Sequence, residues 1–349
     1  MRELLSMPTV WDGKIGAVNK LVADGGFDPP QTLCLYERGA WRQARPARYI
    51  ARSTEPRETM SDAVSELLAI LDLEQLETDL FRGTCQKNGW PRVFGGQVVA
   101  QALVAVSRTV EAARPPHSLH AYFLLGGDPA VPIVYEVERI RDGGSFTTRR
   151  VKAIQHGRAI FAMSASFHGE EPGYEHASAM PDVPMPEELG EPRSFIATGP
   201  DQGETILPAK KFAYFTQRWP IELKVVEIER YLSRVARPPR FHVWMRTAAP
   251  LPDDPAVHRA VLAYASDMTL LDSTLIAHGR TVFDPEIQSA SLDHALWFHR
   301  PARADEWLLY AQESPNTSGA RGFARGAIFS RDGRLVASVA QEGLIRPRR

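Results

Sequence analysis

The stretch Phe94-Gly95-Gly96-Gln97-Val98-Val99-Ala100-Gln101-Ala102-Leu103-Val104-Ala105-Val106 decides the fold. It is apolar nearly all round and rich in small side chains. That is the composition of a helix enclosed on every side, not of one lying on a surface with a single apolar stripe. Strand-like runs follow at His117 to Leu125, Ile133 to Arg141, Thr147 to His156 and Arg158 to His168, separated by glycine-containing turns. One buried helix followed by antiparallel strands predicts an α+β unit in which a sheet curls around a central helix.

The same order recurs further on. Asp267 to Ala277 has the pattern of a second central helix, opened by Ser266-Asp267 and ended by His278-Gly279. Strands are expected at Ser291 to Phe298, Trp307 to Ser314, Gly322 to Ser330 and Arg334 to Gly343. Gly157-Arg158 lies on Gly333-Arg334 when the halves are superposed, each a turn entering a last strand. The chain therefore divides into an extension over 1–59 with no sustained period, a first unit over 60–170, a linker over 171–204 and a second unit over 205–349. The linker is rich in proline, glutamate and glycine. A length of 349 residues, at about 150 per domain, agrees with two units.

Composition excludes several classes. The 41 basic and 42 acidic residues leave a net charge of −1, without the basic stripe that a nucleic-acid partner requires. Cys34 and Cys85 are too few for a disulfide framework and lack zinc-site spacing, which points to a reduced, cytoplasmic setting. The apolar run from Val98 to Val106 is about half of what a bilayer span needs. There is no Gly-x-Ser-x-Gly elbow, no phosphate-binding glycine loop and no His-Glu-x-x-His, so neither a metal nor an organic cofactor is expected.

The informative polar residues lie in the second half. Asp267 reads either as an N-cap satisfying free helix N–H groups or as a carboxylate held ionised there and able to take a proton from water. Ser291 begins a strand, sharing a face with Asp293, Ala295, Trp297 and His299, while His294 shares the other with Leu292, Leu296 and Phe298. Gln341 follows Leu335, Ala337 and Val339 on an apolar face, where an amide needs a partner inside the fold. Ala165 stands opposite it in the first half, so one working copy and one structural copy are expected.

Taken together, Val93-Phe94-Gly95-Gly96-Gln97, Leu262-Ala263-Tyr264-Ala265-Ser266-Asp267, Leu292-Asp293-His294-Ala295-Leu296-Trp297-Phe298-His299-Arg300-Pro301, Ala320-Arg321-Gly322-Phe323-Ala324-Arg325-Gly326 and Val339-Ala340-Gln341-Glu342-Gly343 resemble the acyl-CoA thioesterase II (TesB-like) family. The resemblance covers roughly Ser61 to Arg346 and implies a double hotdog fold. It also implies hydrolysis of fatty acyl-CoA to fatty acid and coenzyme A by a water held between an aspartate, a threonine or serine, and a glutamine. Those positions match Asp267, Ser291 and Gln341. Serine at 291, where many bacterial relatives carry threonine, keeps the hydroxyl but drops the methyl that stiffens the rotamer. A backbone N–H near Gly96 is the expected oxyanion donor; Arg321 and Arg325 are candidates for the coenzyme A phosphates, and His294 for a further substrate contact. The exposed rim of such a sheet predicts a homo-oligomer. Two other readings are a hotdog acyl-CoA hydratase, whose Gly-Asp-x-Asn-Pro-x-His motif is absent, and a non-catalytic acyl-CoA binder.

Overall fold

A computed structural model describes residues 58–86, 91–190, 219–231 and 234–348. Nearly all of the expected extension, and 191–204 of the expected linker, lie outside the described residues. The first half runs α1 (Glu58–Leu71), β1 (Glu74–Glu77), β2 (Leu80–Gly83), α2 (Gly95–Ser107), β3 (Pro116–Phe123), β4 (Ile133–Asp142), β5 (Phe146–Gln155) and β6 (Arg158–His168). The second runs β7 (Ile221–Val225), β8 (Arg240–Thr247), α3 (Pro255–Ser266), a 3-10 helix (Leu270–His278), β9 (Ile287–Ser291), β10 (Asp293–Phe298), β11 (Leu308–Ser318), β12 (Arg321–Ser330) and β13 (Leu335–Pro347).

Among the described residues all the strands join one antiparallel sheet in the order β1-β2-β4-β5-β6-β3-β10-β13-β12-β11-β8-β7, with β9 also on β13. The halves meet at β3 and β10, where Leu119 pairs with Leu296 and His120 with Ala295. This is the double hotdog. The small residues of the opening stretch explain its interior: Val98, Val99, Ala100, Ala102, Leu103, Ala105 and Val106 of α2 are buried, as are Ala260 to Ala265 of α3. The run Pro255–His278 is long and apolar enough to cross a membrane, but it is mostly buried within the fold, and the element changes at Asp267. Its apolarity serves the core.

The second central helix departs from expectation. It spans Pro255–Ser266 and ends, not begins, at Asp267. The operative start signal is Asp254-Pro255: the Asp254 carboxylate accepts from the Ala256 N–H at 2.8 Å, and proline occupies the first turn, where no N–H is needed. Ser266 donates its hydroxyl back to the Ala263 carbonyl at 2.9 Å, as a last-turn serine does. The expected helix beyond it is the 3-10 segment, closed by Gly279 at φ 59°. It packs onto β12 and β13 at Gly322 and Gly343, a cross-strand pair without side chains, where Thr274 and Leu271 fill the space.

Residues 170–190 contain no helix or strand; 170–179 are exposed, whereas the part from Met180 onward packs on the fold. Met180, Val183, Met185 and Leu189 lie against Trp244, Trp307, Leu309 and Phe329, and the Trp244 indole donates to the Pro184 carbonyl at 2.9 Å.

The two central helices touch where α2 begins. A Cβ on Gly96 would overlap the Tyr264 carbonyl oxygen, and Phe94 packs edge-on against Tyr264 at 5.0 Å between ring centres. Since that carbonyl is backbone and cannot swing aside, Gly96→Ala is expected to destabilise the fold by about 1–3 kcal/mol. Thermal unfolding checks this, and a variant melting with the wild type contradicts so close a crossing.

Candidate active site

Asp267 occupies the C-cap of α3, the end at which the helix dipole disfavours an anion. It nevertheless lies inside, its side chain 5% exposed. What compensates is the start of the other central helix. A Cβ on Gly95 would stand 2.6 Å from Asp267 Oδ2, so only glycine lets α2 bring its N-terminal turn this near. Gln341 Nε2 donates to Oδ1 at 2.6 Å, and the Gly96 N–H and the Ser291 hydroxyl face the carboxylate and favour its charged form. Burial pushes the Asp267 carboxyl up to about 6, and the Gln341, Gly96 and Ser291 donors restrain the rise. The carboxyl expected to be held ionised by its helix position is instead raised by burial, and what favours its charge comes first from Gln341, then from the start of α2 and Ser291, not from the helix that carries Asp267.

Ser291 reaches this point through a fault in the sheet. Ala295 pairs with Ala340, yet Ser291 pairs with Gly343, so four steps on one strand face three on the other. The Leu292 N–H donates to the Glu342 carbonyl, and the Glu342 N–H donates to the Asp293 carboxylate at 2.6 Å. A one-residue slip reverses the side of every residue beyond it. Ser291 therefore leaves the face of Asp293 and Ala295, where simple alternation puts it, and turns to the face of His294 and Gln341.

The rest of the turn at the end of α3 is clamped from the sheet. The Tyr310 hydroxyl donates to the Ser266 carbonyl at 2.9 Å, Gln312 Nε2 to Thr269 Oγ1 at 2.7 Å, and His294 Nε2 meets Ser266 Oγ at 2.9 Å. The sequence singles out neither Tyr310 nor Gln312, and it places Gly95 in a motif without showing its approach to Asp267. The one signal for Tyr310 was Gly326, whose missing side chain makes room for the ring.

The other expected contacts are placed as follows. His294 is fully buried beside Asp267, with Nδ1 4.0 Å from Oδ1. The Gly96 N–H, expected at a substrate oxyanion, is directed to Asp267. Arg321 and Arg325 are not brought to the carboxylate: strand alternation puts them on the exposed face of β12, opposite Gly322 and Ala324. Each is paired there, Arg321 Nε with Glu342 at 2.9 Å and Arg325 Nε with Glu313 at 2.6 Å. The half-buried Cys85 has its thiol raised by burial and directed to the Val131 carbonyl at 3.4 Å, a poor setting for a nucleophile. Among the described residues no three His, Cys, Asp or Glu side chains gather as metal ligands. An apolar pocket lined by Ile221, Met245, Val261, Leu262, Ala265 and Leu308 runs along α3 and includes none of the three polar residues.

Comparison with known proteins identifies the lineage. The family described as "Acyl-CoA thioesterase N-terminal domain" matches residues 86–168, and that described as "Acyl-CoA thioesterase" matches residues 211–344. Acyl-CoA thioesterase 2 of Haemophilus influenzae is 38% identical over 287 residues, covering 82% of this chain and 99% of the relative. The chain belongs to the acyl-CoA thioesterase II family. The crystal structure of the family member TesB2 from Mycobacterium marinum superposes with a TM-score of 0.66 at 44% identity, over 82% of this chain and 99% of that one. A hot dog fold protein from Alicyclobacillus acidocaldarius, at 20% identity and TM-score 0.63 over 80% and 97% of the two chains, shares the architecture.

A hydrogen bond to a charged group is worth about 1.5–3 kcal/mol, or about one to two pKa units. Gln341→Ala, which removes a donor to the ionised form, is accordingly expected to move the Asp267 midpoint up from about 6 by that amount. Carboxyl-selective carbon NMR follows it. An unchanged midpoint contradicts the amide's hold on the charge.

Proposed function

We propose that this family member hydrolyses fatty acyl-CoA to free fatty acid and coenzyme A, with Asp267 as the base and Ser291 and Gln341 holding the water. The observation that carries the reading is the convergence of Ser291 and Gln341 on the buried Asp267 carboxylate, whose pKa, about 6, suits proton abstraction near neutrality. Gln341 Oε1 is buried and receives no protein donor, so it is ready to accept the second hydrogen of the water whose first goes to Asp267.

Water attacks the thioester carbonyl as Asp267 takes its proton. The tetrahedral intermediate then expels the thiolate, whose pKa of about 8.5 makes departure easy, and Asp267 returns the proton to sulfur. No acyl-enzyme is needed. The positive end of α2 favours the ionised aspartate before attack and the oxyanion after it. An exposed apolar stretch supports a fatty substrate: Tyr122, Leu124 and Leu125 stand open to solvent on either side of Phe123, whose N–H donates to the Leu292 carbonyl next to Ser291. Such a lip suits an alkyl chain entering beside the base.

Thiol release from palmitoyl-CoA, with crotonyl-CoA hydration measured alongside, separates hydrolase from hydratase and from a binder that releases nothing. Asp267→Asn is expected to lower kcat about 10²- to 10⁴-fold; a wild-type rate rules out Asp267 as the base. Because only the ionised carboxylate accepts a proton, the wild-type rate should fall about tenfold per pH unit below a limb near 6 and level off above it. Gly95→Ala, which pushes a methyl against the carboxylate and the Phe123 ring, is expected to lower kcat about 100-fold with little change in melting temperature.

A further inference from the structure

His294 is a buried ionisable group beside Asp267 that the mechanism above leaves unused. Its surroundings define its hydrogen. Ser266 has one hydroxyl hydrogen and lies 2.9 Å from both the Ala263 carbonyl, which can only accept, and His294 Nε2, so the assignment that satisfies both contacts puts the ring hydrogen on Nε2. Nδ1 is then a lone-pair acceptor. It is completely buried, receives no hydrogen bond from any described group, and stands 4.0 Å from Asp267 Oδ1.

Two acceptors face each other there without a hydrogen between them. This is a costly arrangement in a dry interior, and it lasts only while Asp267 is ionised. The proton that Asp267 removes from water is the missing hydrogen. We infer that His294 is a positioning residue for proton transfer: its neutral Nδ1 accepts a hydrogen bond from the Asp267 carboxyl once that group holds the proton taken from water. The proton stays on Asp267 until it passes to the departing thiolate, and the imidazole gains and loses no proton overall. An interaction absent in the ground state and formed as the proton arrives raises kcat without tightening substrate binding.

The inference rests on Asp267 being the base. Burial holds the imidazole at about 4, so it stays neutral across the working range. The other groups facing Asp267 add no competing charge. The first turn of α2 is Gly95, Gly96 and Gln97, β9 offers Ser291, β13 offers Gln341, and β11 offers Tyr310, whose hydroxyl is given to the Ser266 carbonyl. Asp293 and Glu342 lie on the opposite face of the sheet, joined to each other through the Glu342 N–H.

The test compares His294→Gln, whose amide reaches Ser266 but leaves the Nδ1 position empty, with His294→Asn, whose amide oxygen stands near Nδ1. Palmitoyl-CoA hydrolysis is followed in both, with Asp267→Asn alongside. His294→Gln is expected to lose about 10- to 100-fold in kcat at unchanged KM. Without an acceptor for its proton, protonated Asp267 is less stable, so the acid limb should move to lower pH. His294→Asn should recover most of the rate. Nitrogen NMR of the imidazole in the unsubstituted protein, which does not depend on either variant folding, should show a neutral ring protonated at Nε2 from about pH 5 to about pH 8. A ring protonated at Nδ1 overturns the inference, and so does a wild-type rate and limb in His294→Gln while Asp267→Asn is inactive. In the latter case the Asp267 reading stands. Wild-type activity in Asp267→Asn brings down both.

Discussion

One buried carboxylate governs this molecule. Asp267 sits where a helix ends, where the dipole opposes it and where solvent hardly reaches it. A charge in such a place persists only if donors surround it. Three do, and each comes from a different part of the chain: the Gly96 backbone at the start of α2, the Ser291 hydroxyl on β9 and the Gln341 amide on β13. The balance between burial and donors leaves the carboxyl near 6 instead of deep in the usual carboxylate range.

This requirement explains features that packing alone does not. Glycine is needed twice in succession, at 95 for the carboxylate and at 96 for the backbone of the neighbouring helix. The sheet needs its fault at Leu292-Asp293, because a regular strand would turn Ser291 away. The first half supplies only the mirror position. There the C-cap of α2 is Arg108, which donates to the Leu73 carbonyl and to Asp72 at 2.7 Å. A cation tied to the fold stands where the second half has Asp267, so the two helix ends differ in kind. The surroundings of Asp267 draw on both halves, and the central helices touch beside it.

Much of this was legible in the chain. Small apolar residues from Val98 to Val106 announced an enclosed helix, and the strands from Ile133 to His168 lie within a residue of where their turns placed them. An amide at 341 among alanine and valine announced a polar partner inside. The second helix was misplaced, because Asp267 is followed by an apolar run resembling a helix start while the stronger signal, aspartate then proline at 254 and 255, stood twelve residues earlier. Ser291 was put on the wrong face for a related reason: alternation along a strand is local, whereas a bulge is defined by the partner strand.

The sequence by itself therefore determined the two curled units, the interior composition of each helix and the residue types available for chemistry, since these depend on periodicity and on which side chains avoid water. Only the tertiary structure decided which helix end faces Asp267, which way Ser291 turns and which groups surround His294. Those outcomes depend on distances between segments far apart in the chain, and electrostatics and hydrogen bonding act through such distances, not through order along the backbone.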